Sequence, residues 1–483
     1  MKRFWLVLLS LGLVMAFSAS AFAVDVKFSG SFEAAGMYLD KTNLMKSGTA
    51  GGGPSTAFYF QKLQVRMDFI VSPGLKLVTR FNALERIWGG ARAGAFDANG
   101  TMVGQPGGTS SQSAGTREEN QNIAFDWAYI EYASPIGLFK VGYMDDNGWG
   151  TVFGDSAING PPCGQILYIL PIGSFYLGGG IFKEADNSFS AINSAATWSD
   201  GDEDKYIAFA LMTFKGGEAG LLFTYSRVAT GKFLGDGPTL LDGTYIPNLA
   251  KLYTLQPFVK AKIGPVKIEA EFWYAFGGAQ VEDGIVGHDV QLQDIMAYVN
   301  AVVDLGVFYV GGTAAYMSGD DPKTTDRMEG SVVGGGMDWN PTLIMFNQDL
   351  TYWVGPLPGF GGTANFSGSQ PNGPSYMGMT NAWFFQLKAG VRPTAKLDFN
   401  ASVSYAMADQ TAVGQNNSYG WELDVTGTYK ITNNLSYMLG VGYWWVGDFY
   451  KGGSPTIANG MNDPTVNKLN DEYMIINKLT LTF

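Results

Sequence analysis

Charged residues make up 15 % of this 483-residue chain and aromatics 14 %, and 65 residues are glycine, whereas ordinary soluble domains carry about 25 % charge. The net charge of −12 sets the chain apart from nucleic-acid-binding proteins, which need a basic face. One cysteine, Cys163, excludes an intrachain disulfide, and one histidine, His288, excludes multi-histidine metal centres.

In chain order, Lys2 and Arg3 precede an apolar run from Phe4 to Phe17, and Ala21-Phe22-Ala23 supplies small residues before Val24. This pattern predicts a secretory signal over residues 1–23. Val24 rather than a cysteine follows the expected cut, which argues against a lipid anchor. No later stretch reaches 18 apolar residues, so a retained inner-membrane helix is not expected.

From Val24 onward, apolar and polar residues alternate with period 2, the signature of a strand with one apolar and one wet face. Val26, Phe28, Gly30, Phe32, Ala34, Gly36 and Tyr38 oppose Lys27, Ser29, Ser31 and Glu33. In the next strand Leu63, Val65, Met67, Phe69 and Val71 oppose Lys62, Gln64, Arg66 and Asp68, and Ser72-Pro73-Gly74 turns into Leu75–Ile87. The unit recurs around Ile263-Gly264-Pro265, Pro393-Thr394-Ala395 and Ile431–Asn434. The last run, Glu472–Phe483, places Tyr473, Ile475, Leu479, Leu481 and Phe483 on one side and Lys478, Thr480 and Thr482 on the other.

Tight turns alternate with long Gly, Asp and Ser-rich connections, as in barrels with short periplasmic turns and long external loops. The expected fold is therefore all-β: a transmembrane antiparallel up-and-down barrel over residues 24–483, with about 20 strands and about 16 to 18 as the alternative. Gln165–Leu170, Ser174–Lys183 and the glycine-rich Ser331–Trp339 are the weakest strand assignments. A separate plug domain before the first strand is not expected, because the strand pattern begins within a few residues of the predicted cut. Barrels of this size enclose an aqueous channel, and polar inward residues predict a wet lumen.

The segment 124–155, AFDWAYIEYASPIGLFKVGYMDDNGWGTVFGD, is a strand, the turn Ser134-Pro135-Ile136-Gly137, a second strand and a loop. It resembles the hairpin leading into the third external loop of Gram-negative trimeric porins, and the ending in Phe483 is similar to theirs. The resemblance implies a homotrimer in the outer membrane of a Gram-negative bacterium and an inward-folded constriction loop at residues 145–164 carrying Asp145, Asp146 and Asp155. It also implies that Phe483 is an assembly signal read by the barrel assembly machinery. The segment Pro161-Pro162-Cys163 departs from the porin pattern.

Charge facing that loop would filter ions where water is scarce, and the candidate wall cations are Lys62, Arg66, Arg80 and Arg86 on the inward phase. Asp200, Asp202 and Asp204 form the densest acidic group. They are a weak calcium candidate, since the EF-hand glycine is absent, and such loop charge can also bridge lipopolysaccharide phosphates through divalent ions. The clusters Phe58-Tyr59-Phe60, Trp383-Phe384-Phe385 and Tyr443-Trp444-Trp445 predict an interfacial aromatic girdle. A sugar-stacking track is the rival, with Trp273 and Trp444 as its inward members.

Ala229-Thr230-Gly231-Lys232 is followed by Phe233, so a P-loop is not formed, and His288 beside Asp289 is the only histidine available to a barrel enzyme. The expected function is passive diffusion of small hydrophilic solutes and ions, with no cofactor and no nucleic-acid partner. The alternatives are a barrel that sheathes a periplasmic partner such as an electron-transfer cytochrome, and a surface enzyme.

Overall fold

The computed structural model describes residues 24–41, 44, 55–88, 123–145, 148–154, 162–186, 201–229, 248–281, 289–330, 339–347, 379–411, 414–450 and 470–483. The signal-peptide expectation and His288 lie outside these residues.

Among the described residues the elements are strands, apart from a short 3-10 turn at Asp448–Tyr450. The first nine are β1 (Asp25–Leu39), β2 (Thr56–Ser72), β3 (Leu75–Ile87), β4 (Ile123–Ser134), β5 (Gly137–Asp145), β6 (Pro162–Ile172), β7 (Phe175–Ala185), β8 (Glu203–Phe214) and β9 (Gly217–Val228). They continue as β10 (Asn248–Ile263), β11 (Val266–Val281), β12 (Val290–Leu305), β13 (Phe308–Met317), β14 (Arg327–Met328), β15 (Ala382–Thr394), β16 (Leu397–Met407), β17 (Ser418–Lys430), β18 (Leu435–Val446) and β19 (Glu472–Thr482).

Successive strands pair antiparallel, with one exception. The two-residue β14 lies parallel against the end of β12, and β13 pairs directly with β15. The wall therefore has 18 strands, closed where β1 meets β19 from Ser31↔Thr482 to Leu39↔Met474. The weakly patterned pair 165–183 is a regular hairpin, β6 and β7. The glycine-rich stretch does not contribute a described strand: residues 331–338 lie outside the described set, and Trp339 belongs to a non-strand segment inside the barrel.

Wall strands of 9 to 17 residues are long enough to cross a bilayer when tilted, which takes about 9–11 residues. One end carries two- and four-residue turns, such as Gly264-Pro265 and Ile431–Asn434, and the other carries the long connections. The outer face is apolar: Phe28, Ile130, Ile166, Leu387, Val425 and Leu439 all project away from the barrel. In water that belt would be an aggregation surface; in lipid it is the solvent match.

The inner face differs from the expected wet lumen, because its chemistry changes along each strand. On β1 the inward residues run Ser29, Ser31, Glu33 and then Ala35, Met37, Leu39, the last three buried. On β2 the same change runs from Asp68, Arg66, Gln64 and Lys62 to Phe60 and Phe58. The turn-side half of the interior is polar. The loop-side half is an apolar core that joins these residues to Met296, Met317, Phe384, Tyr419, Trp444 and Met474.

The aromatic triplets are divided accordingly. Tyr59, Phe385 and Trp445 face outward, whereas Phe58, Phe60, Phe384 and Trp444 are buried inside, so inward aromatics extend well beyond Trp273 and Trp444. Each buried side chain of this size stabilises the interior by about 1.5–3 kcal/mol.

At the seam, Phe483 N donates to Gly30 O at 3.0 Å and Gly30 N donates to Phe483 O at 2.8 Å, while the Phe483 ring stays half exposed on the lipid side. Deleting Phe483 is expected to lower outer-membrane levels in cells far more than the heat resistance of protein refolded in detergent. Normal cellular levels of the truncated protein would show that this residue carries no assembly signal.

Candidate functional site

The polar half of the lumen is a lattice of wall ion pairs. Arg66 Nε donates to Asp68 Oδ1 at 2.8 Å, Lys76 bridges Asp68 at 3.2 Å and Glu131 at 3.1 Å, and Lys140 lies 3.9 Å from Glu131. This chain runs round the inside from β2 to β5. Lys62 sits 3.7 Å from Glu85. Arg80 pairs with Asp126 at 2.6 Å and lies 3.6 Å from the centre of the Trp127 ring.

A bulge produces that last arrangement. Arg80 pairs with Trp127 and Phe81 with Phe125, so the extra residue, Asp126, reaches the lumen beside Trp127. The expected cations Lys62, Arg66 and Arg80 thus have wall carboxylates beside them, Glu85, Asp68 and Asp126. Arg86 departs from the expectation. A second bulge, at Leu84 with φ of +49°, moves the register from Leu63↔Ala83 to Gln61↔Arg86. Arg86 therefore shares its phase with Gln61 and the outward Tyr59 rather than with Arg80, because one inserted residue exchanges the two faces of a strand.

Asp145 ends β5, opposite Pro162; Asp146 and Asp155 lie outside the described residues. Between them, residues 148–154 turn into the barrel. Trp149 Nε1 donates to the Gln256 carbonyl at 3.0 Å, and its ring packs on Phe209 and Phe258. Thr151 donates through its N–H at 2.7 Å and its hydroxyl at 2.6 Å to Glu271 Oε2. Gly150, at φ +89°, lies so close to the Glu271 carboxylate that a Cβ there would collide with it. Phe153 stacks on Tyr298 with ring centres 5.0 Å apart.

Residues 339–347 form a second inward segment. Ile344 and Met345 each donate a backbone N–H to Glu422, at 2.7 Å to separate oxygens, and the Gln386 amide donates to the Pro341 carbonyl at 2.6 Å. The two segments touch, Trp339 meeting Phe153 edge-on at 4.8 Å. A third carboxylate, Glu472, accepts the Lys41 N–H at 3.0 Å and holds the turn after β1.

Glu271, Glu422 and Glu472 are the residues that sequence reasoning missed as a set. Each lies on the inward phase next to buried apolar neighbours, where an acid needs donors, and that signal was present in the sequence.

The acidic group near residue 200 is tied up internally. Asp202 and Asp204 both pair with Lys183, the latter at 3.0 Å, and Asp200 lies outside the described residues. Among the described residues no cluster of three or more His, Cys, Asp or Glu is arranged to hold a metal. Cys163 is buried on β6, with Gln165 Nε2 3.5 Å from its sulfur. In the connection after β13, Asp320 accepts the Glu329 N–H at 2.9 Å, and burial pushes its carboxyl above the ordinary aspartate value.

A closed wall of 18 strands, apolar outside and polar inside over its turn-side half, defines a large transmembrane β-barrel of the outer-membrane kind. No protein-family model matches the chain, and no curated protein does. Among solved structures it is similar to a BenF-like porin from Pseudomonas fluorescens Pf-5 at 11 % identity and TM-score 0.47, covering 95 % of this chain and 99 % of that one. It is also similar to Pseudomonas aeruginosa OpdL at 11 % and 0.46, with 95 % and 99 % covered. An anion-selective porin from Comamonas acidovorans gives 10 % and 0.41, again with 95 % and 99 % covered. Likeness this loose leaves function to the chain's own residues.

Replacing Glu271 with Ala strands the two Thr151 donors, at about 1–3 kcal/mol each. The expected result is faster chymotrypsin cleavage at Trp149 and Phe153 in a barrel that keeps its heat resistance. Cleavage as slow as in the parent protein would mean that aromatic packing alone holds the segment.

Proposed function

We propose that the protein is a passive outer-membrane channel for small hydrophilic solutes and ions. The observation that carries this reading is the polar lattice on the turn-side inner face of an 18-strand wall. Barrels of 16 to 18 strands are too wide for wall side chains to fill, and a charged inner face is solvated only if water enters. In this reading the segments at 148–154 and 339–347 narrow the loop-side half, and their surfaces filter what the wider polar half admits.

Selectivity is expected to be moderate, because Arg66, Lys76 and Arg80 face carboxylates of the same wall and opposite charges at such distances largely cancel beyond a Debye length. The carboxylates around the inward loop, Asp145 and Asp146, add the local bias. Homotrimeric assembly and delivery by the barrel assembly machinery belong to the same proposal.

Refolded protein inserted into planar bilayers is expected to show stepwise conductance; insertion without steps would remove the channel reading. In a salt gradient, Asp145→Asn combined with Asp146→Asn is expected to shift the reversal potential toward anions while leaving heat resistance intact. An unchanged potential would place those residues away from the conducting path.

A further inference from the structure

Glu422 and Asp424 are adjacent inward residues of β17, and both are almost wholly buried although they face a lumen lined elsewhere by polar groups. What covers them is the segment 339–347. Consecutive amides of Leu343, Ile344 and Met345 point at the pair, Leu343 N lying 3.4 Å from Asp424 Oδ1 and the other two N–H groups occupying both oxygens of Glu422. Successive backbone N–H groups turned the same way form an anion-binding concavity, and here a wall carboxylate fills it.

The wall is also shaped for the segment. Gly440 and Gly442 of β18 are inward positions without side chains, and a Cβ at Gly442 would lie 3.1 Å from Leu343 Cβ. Phe346 adopts φ of +54°, a conformation that a bulky residue rarely takes, and it is held there by ring contacts with Phe384 and Tyr419.

Resting on the channel reading, we propose that residues 339–347 are a docked constriction element and that Glu422 is its positioning residue. In the docked state the element both narrows the path and masks two carboxylates. Undocking widens the path and uncovers Glu422 and Asp424, so the two states differ in ion preference as well as in width. The element meets residues 148–154 through Trp339 and Phe153, and the two inward segments form one shelf from the inner face of β8 to that of β18.

The principal variant keeps both Glu422 and Asp424 in place and changes the segment together with two wall positions, Cys163 on β6 and Gly442 on β18. Ile344→Pro with Met345→Pro removes both N–H groups that Glu422 accepts, and it is made in a Cys163→Ala background together with Leu343→Cys and Gly442→Cys. Single channels are recorded in a salt gradient, first reduced and then oxidised.

The reduced channel is expected to show a higher unitary conductance than the parent and a reversal potential shifted toward cations. Oxidation, which ties the segment to β18, is expected to return both to parental values. Equal conductance and equal reversal potential in a conducting parent and in the variant, whatever the state of the thiols, would overturn the proposal. A parent that inserts without conducting would remove the channel reading, and this inference with it. Glu422→Ala separates the two effects: it is expected to raise conductance with a smaller cation shift, because one of the uncovered charges is gone.

Discussion

Hydrocarbon offers backbone amides no partners, and every other feature of this barrel follows from that constraint. A sheet can span lipid only if it has no open edge, so the first and last strands must find each other across the whole chain. They do so over the register Ser31↔Thr482 to Leu39↔Met474. Closure then sets the interior: 18 strands enclose a space that their own side chains cannot fill, and the chain must leave it to water or supply something to occupy it.

The protein does both, at opposite ends. On the turn side, ion pairs such as Arg80–Asp126 and Lys76–Glu131 line a polar wall. On the loop side, connecting segments fold back and bury Phe153, Trp339 and Phe346 against inward aromatics. Apolar packing supplies most of the attraction, but it is not directional. Direction comes from Glu271, Glu422 and Glu472, each of which accepts backbone N–H groups of a particular inward segment. Losing such hydrogen bonds is costly because the buried oxygens and the segment's N–H groups are both left without partners.

The wall itself was legible in the sequence because strand period and bilayer chemistry are local. Leu63 to Val71 against Lys62 to Asp68 needs only neighbouring residues to show two faces, and the turns at Pro73-Gly74 and Gly264-Pro265 are equally local. The wall of 18 strands lies within the expected range of about 16 to 20, because strand period and tight turns mark each hairpin locally; the glycine-rich alternation of Ser331–Trp339 lies mostly outside the described residues. Arg86 was misplaced because a single extra residue at Leu84 reverses the faces beyond it, and β-bulges have little sequence signature. The inner carboxylates were visible as inward acids, but their partners lie 78 and 120 residues away, and period alone does not reveal which distant segment returns to them.

The uneven lining of the barrel bears on the seam itself. Near the loops, β1 and β19 meet with Met37, Leu39, Met474 and Ile476 buried behind them, so separating the strands there would wet an apolar core. Near the turns, the same pair is backed by Ser31, Glu33, Lys478 and Thr480, groups that water already satisfies. Local opening therefore costs less at the turn end, and fraying starts where Phe483 meets Gly30 and stops at Met37. The strand pair behaves as a zipper with one fastened end, and its amides should exchange with solvent in a gradient that runs from the terminus toward the loops.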